Sequence, residues 1–382
     1  MKLATSVGTV GFQTPLILGS GRITETPDFF LGARAFGCSG MVTRSLRETI
    51  PPERLRTPAP RYHVFDEGRS MLNCEWCNEE VWERWRDEWA HSIKCSGGRL
   101  IISLSGRDIT SCQHLIKAFD DLGCVDAYEI NVSCSHSCAI YGNLNVDTAH
   151  LEQVISTCRQ AANAPIWAKL SYSPVIGEMA SVAENAGANA IVCTNSIGPG
   201  LVLDIETTKP VLGIKGGSGG VSGAAIFPIA LWCVYSVAQA VEIPVVGVGG
   251  VDSASKALQM LMAGASLVQL YTAPALRGPS VFAEVIRGIE DFLAEHPQYD
   301  GVASIVGASQ HWVSEESCFE SAIPTIDPRR CAGCGKCVEA CAFNALILRE
   351  GAAELKSENC VGCNACCGVC AAGAIRPARE VG

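Results

Sequence analysis

Short apolar runs alternate with amphipathic stretches from about Pro15 to Glu295. This alternation is typical of parallel strands joined by helices. Helical periodicity separates the runs, for example in Val81–Ile93, Ile109–Leu122 and Ser253–Ala263. The predicted strands are Leu16–Leu18, Gly40–Thr43, Leu100–Leu104, Ala127–Val132, Ile166–Leu170, Ala190–Thr194, Val245–Val248 and Leu267–Tyr271. Eight such strands predict an α/β chain that forms a (β/α)8 TIM barrel, with a doubly wound open sheet as the alternative.

The barrel prediction also locates the chemistry, because catalytic residues of such barrels lie at the carboxyl ends of the strands. The segment Ile197–Ala224 is longer than an ordinary strand-to-helix loop, so we expect it to cover a site at that face. Ser314–Asp327 is polar and contains Pro324, which is typical of a linker. We therefore expect a barrel over residues 1–315, and a linker with a smaller domain over residues 316–382.

Composition narrows the class of protein. The 382 residues include 29 Lys and Arg against 39 Asp and Glu, a net charge of -10 that argues against a nucleic-acid partner. No run approaches about 18 apolar residues, and the N-terminus lacks a sustained apolar segment. We expect a cytoplasmic protein without a membrane partner. The 21 cysteines, in so long a chain, favour reduced thiols over a disulfide scaffold.

Eight of these cysteines repeat one spacing, C-x2-C-x2-C-x3-C, near the C-terminus. The spacing is typical of bacterial ferredoxins with two [4Fe-4S] clusters, in which the fourth cysteine of each motif ligates the other cluster. The predicted ligand sets are Cys331, Cys334, Cys337 and Cys370 for one cluster, and Cys360, Cys363, Cys366 and Cys341 for the other. Zinc is the alternative, since paired C-x2-C units also suit a tetrahedral ion. The repeat predicts a small C-terminal α+β ferredoxin domain, with Cys367 as a buried small side chain.

The fourth predicted strand leads into Asn131-Val-Ser-Cys134-Ser135-His136. This stretch resembles the Asn-Leu/Val-Ser-Cys/Ser-Pro-Asn/His motif of the dihydroorotate dehydrogenase superfamily. The histidine and the double cysteine motif are closest to its dihydropyrimidine dehydrogenase branch. The resemblance implies an FMN enzyme in which Cys134 is the acid/base and Asn131 hydrogen-bonds the substrate. Ser135 stands where the family has proline, and the alternative for Cys134 is a buried thiol.

The chemistry of such a reaction supports the role of the thiol. Hydride addition to a carbon–carbon double bond conjugated with a carbonyl leaves an enolate-like anion, which needs a proton. A neutral thiol with a pKa of about 8.5 can give that proton and recover it.

Further residues match the family at other strand ends. Lys169 ends the fifth strand and matches a lysine beside flavin N1 and O2, where a fixed ammonium raises the flavin potential. Asn195 and Ser196 match the pair that binds the substrate ring. Asn73, in Asn-Cys-Glu75, resembles an Asn-x-Glu whose asparagine reaches the substrate. The alternative for Asn73 is that it begins the following helix.

The resemblance also implies a set of cofactor contacts. These are Gly19, Ser20, Gly21, Thr43, Arg44, Gly220, Ser222, Gly223, Gly249, Gly250, Tyr271 and Thr272, together with Lys169. Glycines and a helix start after the last two strands are typical of a phosphate site. Arg44 departs from the lysine of the family's Thr-Lys-Ser, and a guanidinium is not interchangeable with an ammonium. Phe227 stands where many members carry lysine.

The sequence therefore predicts an FMN-dependent oxidoreductase that reduces, or reversibly oxidises, an activated C=C bond of a cyclic amide such as uracil or thymine. Two [4Fe-4S] clusters would relay its electrons. The chain carries no Gly-x-Gly-x-x-Gly fingerprint, so an FAD/NAD(P)H partner subunit or a soluble ferredoxin is implied. A homo-oligomer is left open. The alternatives are another unsaturated carbonyl substrate, or an FMN and Fe–S electron-transfer subunit.

Overall fold

The computed structural model describes residues 2–48, 59–75, 82–105, 109–132, 147–310 and 323–377. The chain divides into two compact units, Met1–His311 and Trp312–Gly382. We call them the barrel unit and the ferredoxin unit. Within the described ranges, no helix is long and apolar enough to cross a membrane.

The strands of the barrel unit follow the predicted order. They are β1 (Thr5–Val7), β2 (Val10–Phe12), β3 (Leu16–Leu18), β4 (Gly40–Val42), β5 (Tyr62–Phe65), β6 (Ser70–Asn73), β7 (Arg99–Ser105), β8 (Ala127–Asn131), β9 (Ile166–Leu170), β10 (Ala190–Cys193), β11 (Ile197–Gly200), β12 (Gly219–Gly223), β13 (Val245–Val248) and β14 (Ala265–Leu270). Eight of them, β3, β4, β7, β8, β9, β10, β13 and β14, form a closed barrel. β14 pairs in parallel with β3 and closes it. The barrel prediction is confirmed, and the open sheet is excluded.

Helices surround the barrel and pack their apolar faces on the strands. They are α1 (Asp28–Arg34), α2 (Trp82–Arg84), α3 (Ala90–Cys95), α4 (Ile109–Asp120), α5 (Thr148–Ala161), α6 (Ile176–Asn185), α7 (Phe227–Ala240), α8 (Ala254–Met262), α9 (Thr272–Arg277), α10 (Val281–Glu295) and α11 (Val302–Ile305). A π-helical turn, Trp85–Trp89, joins α2 to α3. In α4 the buried residues Leu115, Ile116 and Phe119 recur at helical spacing, which explains how that helix packs.

The inward-facing positions of the strands change character along the barrel axis. Near the amino ends they are apolar, and the β1–β2 hairpin adds the buried side chains of Val7, Val10 and Phe12 to this lower core. Because side chains alternate along a strand, Trp167 and Lys169 share one face of β9. Lys169 lies two residues closer to the carboxyl end. The polar residues therefore gather at the end of the barrel where catalysis is expected.

The long segment after β10 is more ordered than a loop. Its strands β11 and β12 join β5 and β6 in an antiparallel sheet of order β11-β12-β6-β5. Gly220 of β12 pairs with Asn73 of β6. The segment thus contains regular structure that was not predicted, because these strands find partners far away in sequence. Asn73 lies within a strand, so it does not begin a helix.

The ferredoxin unit is built from two similar halves. Its elements are β15 (Thr325–Ile326), α12 (Lys336–Glu339), β16 (Leu346–Arg349), β17 (Ala352–Leu355), α13 (Ala365–Val369) and β18 (Ile375–Arg376). β15 pairs with β18, and β16 pairs with β17. Most of the predicted linker lies outside the described residues, but its end forms β15, which was not expected.

Candidate active site and cysteine loops

A cavity of about 1060 Å³, open to solvent, lies at the carboxyl ends of the barrel strands. The residues that line it are Ser20, Gly21, Arg22, Arg44, Ser45, Tyr62, Arg69, Asn73, Glu75, Asn131, Lys169, Thr194, Asn195, Ser196, Ser222, Gly223, Ala224, Ile226, Val248, Gly249, Gly250, Val251, Asp252, Gln269, Tyr271, Thr272 and Ala273. The four predicted substrate residues and most of the predicted cofactor residues are therefore brought together.

The floor of the cavity is a buried charged network. Lys169 Nζ lies 3.0 Å from Glu129 Oε1, and the Glu129 side chain is fully buried. Gln269 Nε2 donates to the other oxygen of Glu129 at 2.8 Å. This bond turns Gln269 Oε1 the other way, and that buried oxygen has no hydrogen-bond partner among the described residues. The floor thus offers one ammonium and one unsatisfied acceptor side by side.

Three amide side chains lie along the cavity wall. Asn195 Nδ2 donates to Asn131 Oδ1 at 3.1 Å, and Asn131 Nδ2 donates to Ser45 Oγ at 3.1 Å. Asn73 Nδ2 donates to the Gly220 carbonyl at 3.0 Å, which ties β6 to β12. Because each amide has both donors and an acceptor, the set can pair with the N–H and C=O groups of a ring amide.

Arg44 is buried between two carboxylates at the edge of the cavity. Its guanidinium contacts Glu25, and its Nη2 lies 2.8 Å from Glu75 Oε2. Burial acts to lower the pKa of Arg44, but Glu75 and Glu25 outweigh it and raise the pKa. Arg61 also approaches Glu75, at 3.8 Å. Arg44 therefore shares Glu25 with Arg22 and Glu75 with Arg61, and its charge is held in ion pairs within the protein.

Two tyrosines border this charged cluster. Burial is the main cause that raises the pKa of both Tyr62 and Tyr271. The Tyr271 hydroxyl also accepts a hydrogen bond from the backbone N–H of Arg22 at 3.0 Å. Both phenols are neutral at physiological pH and can act only as hydrogen-bonding groups there.

The far end of the cavity is formed by backbone segments in close contact. Gly250 has a φ of +75°, and a Cβ there would lie 2.7 Å from the Gly223 carbonyl oxygen. Only glycine tolerates both the conformation and the approach. Thr272 Oγ1 donates to Ser222 Oγ at 3.0 Å beside these glycines. Small side chains and exposed backbone suit a phosphate group at this end.

FMN fits the residues that line the cavity. Lys169 would lie beside the negative charge of the reduced ring system, the free Gln269 Oε1 would accept an N–H, and the glycine and hydroxyl end would hold the phosphate. When bound, FMN would supply hydride transfer to or from carbon.

The structure separates three predicted cofactor residues from the cavity wall. Gly19, Thr43 and Gly220 are not among the lining residues in the described part of the chain. The Thr43 hydroxyl instead accepts from the backbone N–H of Ser103 at 2.9 Å, because it faces the neighbouring strand. The backbone N–H of Gly19 donates to the Leu270 carbonyl. Cys134 and Ser135 lie outside the described residues.

Sequence reasoning missed several residues of the site. Glu129 was not singled out, although it lies two positions before Asn131 and so shares its face of the strand. A charged residue in an otherwise apolar strand is the signal that could have found it. Arg22, Tyr62 and Arg69 had no comparable signal, because each stands on a turn or short strand outside the barrel.

The cysteine loops of the ferredoxin unit bring the predicted ligands together. Cys341, Cys360, Cys363 and Cys366 line one small pocket, which matches one predicted set across the two motifs. Cys331 and Cys334 in turn lie close enough to Cys337 to affect the pKa of its thiol, which burial raises. Cluster A is our name for the predicted cluster with the ligand set Cys331, Cys334, Cys337 and Cys370. Cluster B is the predicted cluster with the ligand set Cys341, Cys360, Cys363 and Cys366.

Tight turns set the spacing of these thiols. Gly333 has a φ of +65°, and a Cβ there would lie 2.4 Å from the Gly351 carbonyl oxygen. Within the described residues, no three side chains of His, Cys, Asp or Glu converge closely enough to hold a single metal ion. A cubane is compatible with this spacing, because its four iron atoms each take one thiolate and hold the thiolates apart.

Comparison with known proteins agrees with both units. A family sequence profile described as "Dihydroorotate dehydrogenase" matches residues 2–293, and one described as "4Fe-4S binding domain" matches residues 323–346. The second cysteine motif lies outside the latter match.

Several relatives are named "Dihydroorotate dehydrogenase B (NAD(+)), catalytic subunit". The protein of Methanothermobacter thermautotrophicus is 42% identical over 296 residues, which cover 76% of this chain and 93% of the relative. That of Methanosarcina mazei is 39% identical over 305 residues, covering 79% and 93%. That of Thermodesulfovibrio yellowstonii is 32% identical over 309 residues, covering 80% and 98%.

These matches confirm the superfamily that the strand-end motifs predicted, while the relatives do not carry the name of the narrower dihydropyrimidine dehydrogenase branch. A closed barrel, a cavity at its carboxyl end and a 4Fe-4S motif indicate an FMN-type oxidoreductase that acts on a CH–CH bond. The chain belongs to the dihydroorotate dehydrogenase family.

Proposed function

We propose that this chain is an FMN-dependent enzyme that reduces, or reversibly oxidises, the activated C=C bond of a neutral pyrimidine-like ring, with uracil and thymine as the leading substrates. Two [4Fe-4S] clusters relay its electrons. The observation that carries the proposal is that three asparagine amides line the same cavity as Lys169, whose ammonium is held by the buried Glu129.

The ion pairs around the cavity favour a neutral ring over a carboxylated one. Each cation that lines the cavity, among the described residues, is already paired with a carboxylate. Arg44 contacts Glu25 and Glu75, and Lys169 contacts Glu129. Arg22 and Arg69 are likewise paired, with Glu25 and Asp66. A substrate carboxylate would have to compete for one of these cations, and its desolvation would not be compensated.

The residues divide the work of the reaction. Asn131, Asn195 and Asn73, with Ser196, hydrogen-bond the amide groups of the ring and orient it. Lys169 holds a positive charge at the floor, and Glu129 keeps it in place. Cys134 delivers a proton to one carbon of the double bond on reduction and recovers it on oxidation. Ser222, Gly223, Gly249, Gly250 and Thr272 hold the phosphate end of the cofactor.

Dihydroorotate is a second candidate substrate, because the relatives described above carry its name. Their designation as catalytic subunits also supports a partner that exchanges electrons with this chain. That partner would be an FAD/NAD(P)H subunit or a soluble ferredoxin.

One anaerobic experiment distinguishes the two candidate substrate classes. The holoenzyme is reduced, and the flavin absorption is followed after addition of uracil, thymine or orotate. Reoxidation by uracil or thymine supports the proposal. Reoxidation by orotate alone assigns the second candidate. No reoxidation by any of the three, in protein with intact flavin and iron, overturns both.

Cys134→Ala tests the acid/base role in the same assay. We expect a loss of about 10²–10⁴ in turnover, the usual contribution of a general acid. Electron transfer from reduced clusters to a dye should be unchanged. Turnover at the wild-type rate would show that Cys134 is not the acid/base of this reaction.

A further inference from the structure

The two halves of the ferredoxin unit can be compared position by position. Cys331, Cys334, Cys337 and Cys341 correspond in order to Cys360, Cys363, Cys366 and Cys370, with one constant offset. The elements obey the same correspondence, since α12 and α13 each begin one residue before the third cysteine of their motif. Differences between matched positions therefore report differences between the surroundings of clusters A and B.

The first difference is the number of backbone N–H groups that bond to ligand sulfur. In cluster A, Ala353 N donates to Cys331 Sγ at 3.3 Å, and Ala374 N donates to Cys370 Sγ at 3.3 Å. In cluster B, Ala345 N donates to Cys341 Sγ at 3.3 Å. Ala345 and Ala374 are matched positions. The bond that lacks a counterpart is therefore the one to Cys331.

The cause of the missing bond is in the sequence. The position matched to Ala353 is Pro324, which has no backbone N–H. Pro324 lines the same pocket as Cys360, the counterpart of Cys331. No backbone N–H donates to Cys360 Sγ from anywhere in residues 323–377. A proline thus removes from cluster B the donor that cluster A receives from an alanine.

The second difference is charge. Arg330 precedes the first cysteine of cluster A, where the matched position before cluster B is Asn359. The Arg330 guanidinium lies 3.6 Å from where a Cβ on Gly373 would be, in the loop just after the Cys370 ligand. Lys336 and Glu339 share α12 and offset each other. The net result is one additional cation beside cluster A.

Both differences act in the same direction. Hydrogen bonds to cluster sulfur and nearby positive charge stabilise the more negative, reduced cluster, and so raise its potential. We infer that clusters A and B have unequal reduction potentials. Cluster A has the higher potential and takes up the first electron. Cluster B is harder to reduce because Pro324 has no backbone N–H to donate to Cys360. This inference rests on the proposed two-cluster function. Each cluster takes up one electron from an external reductant, and no proton or ligand is exchanged.

The test is a redox titration of the full-length anaerobic holoprotein, with dithionite as reductant and cluster EPR as the signal. We expect two one-electron steps whose equilibrium constants differ at least tenfold, which is about 59 mV. Pro324→Ala, which restores the N–H, should raise the lower midpoint and leave the upper one in place. Pro328→Ala is the matched control and should move neither.

The outcomes are distinguishable. Iron for only one cluster per chain would contradict the proposed two-cluster function. Two clusters that titrate together, or a Pro324→Ala shift confined to the upper midpoint, would overturn the inequality. If the Pro324→Ala variant loses iron, Arg330→Asn is the second test variant. The Arg330→Asn substitution should lower the upper midpoint potential toward the lower one. An unchanged upper midpoint in Arg330→Asn, with unseparated steps in the wild type, would equally contradict the inference.

Discussion

The residues of the barrel cavity and those of the cysteine loops differ in how far apart they lie along the sequence. Glu129, Lys169 and Gln269 come from three strands that are far apart in sequence, and they meet only because the barrel closes in one register. Within each cysteine motif, two or three residues separate one predicted ligand from the next. The first site depends on the fold, whereas we expect the fold of the second unit to depend on its predicted clusters. The two regions should therefore respond differently to the same kind of damage.

The largest difference should follow the loss of one cluster ligand. The described core of the ferredoxin unit is small, and two of its five buried members, Cys337 and Cys366, are predicted ligands. Cys363→Ala should remove the four iron atoms of cluster B and expose the amides of residues 323–377 to rapid hydrogen exchange. Exchange in the barrel unit should be unchanged.

Cys367→Ala is the matched control, because Cys367 is the extra cysteine beside a ligand. It should retain full iron. Loss of iron in Cys367→Ala, with retention in Cys363→Ala, would show that the ligand assignment is wrong.

The barrel site should instead lose stability when its buried charge loses its partner. Glu129→Gln removes the carboxylate that contacts the Lys169 ammonium, which is 4% exposed. Removing one member of a buried pair costs about 3–5 kcal/mol in general. We expect a loss of that size in the free energy of unfolding of the barrel unit, and urea unfolding would measure it. Combining it with Lys169→Met should recover much of that loss.

Glu284→Gln serves as the control for this pair. Glu284 contacts Arg277 at the surface, where both side chains are about half exposed. The loss there should be about 1 kcal/mol or less. Equal losses at Glu129 and Glu284 would mean that the floor is not the buried network described above.

A smaller effect should appear in substrate choice. Glu75→Gln removes one of the two carboxylates that balance Arg44, and leaves cationic charge at the cavity edge. The ratio of kcat/KM for orotate over uracil should rise about tenfold, which is about 1.4 kcal/mol. Glu67→Gln, on the exposed turn of the same β5–β6 hairpin, should leave the ratio unchanged. A constant ratio in Glu75→Gln would contradict the charge argument for a neutral ring.

The last effect concerns alkaline pH. Burial raises the pKa of the Cys38 thiol from 9.0 to about 12, against the weaker effects of nearby hydrogen bonds and Arg34. The unfolded thiol ionises first, so this contribution to stability is complete below pH 9 and is lost between pH 9 and 12. At pH 10 the loss is about 1.4 kcal/mol.

Cys38→Ala should abolish that part of the alkaline decline in unfolding free energy. Cys95→Ala, at an exposed thiol, should keep it. Identical pH profiles for the wild type and Cys38→Ala would show that the Cys38 thiol does not cause the alkaline decline in unfolding free energy.

The sequence predicted the barrel strands well because their signal is local. Ile166–Leu170 and Val245–Val248 have the predicted bounds at both ends. Gly40–Val42 and Ala190–Cys193 end one residue earlier than predicted. An apolar run identifies a buried strand without reference to its neighbours.

What the sequence could not supply are the non-local pairings. β11 and β12 read as a loop, because glycine-rich strands carry little β signal and their partner β6 is far away. The role of Glu129 depends on the register of β8 against β9, where Asn131 pairs with Lys169. The position of Arg44 was predicted from a motif, but its neutralisation by Glu25 and Glu75 required three segments in one place.

The β1–β2 hairpin has a practical consequence for wiring this protein to an electrode. Its side chains seal the amino end of the barrel, and its turn at Gly8 and Thr9 is exposed. A tether placed in that turn would be attached at the end of the barrel opposite the cavity mouth. An enzyme immobilised through this turn would keep its cavity open to dissolved substrate. The measured current would then depend on the reaction in the cavity and not on blocking of the cavity by the electrode surface.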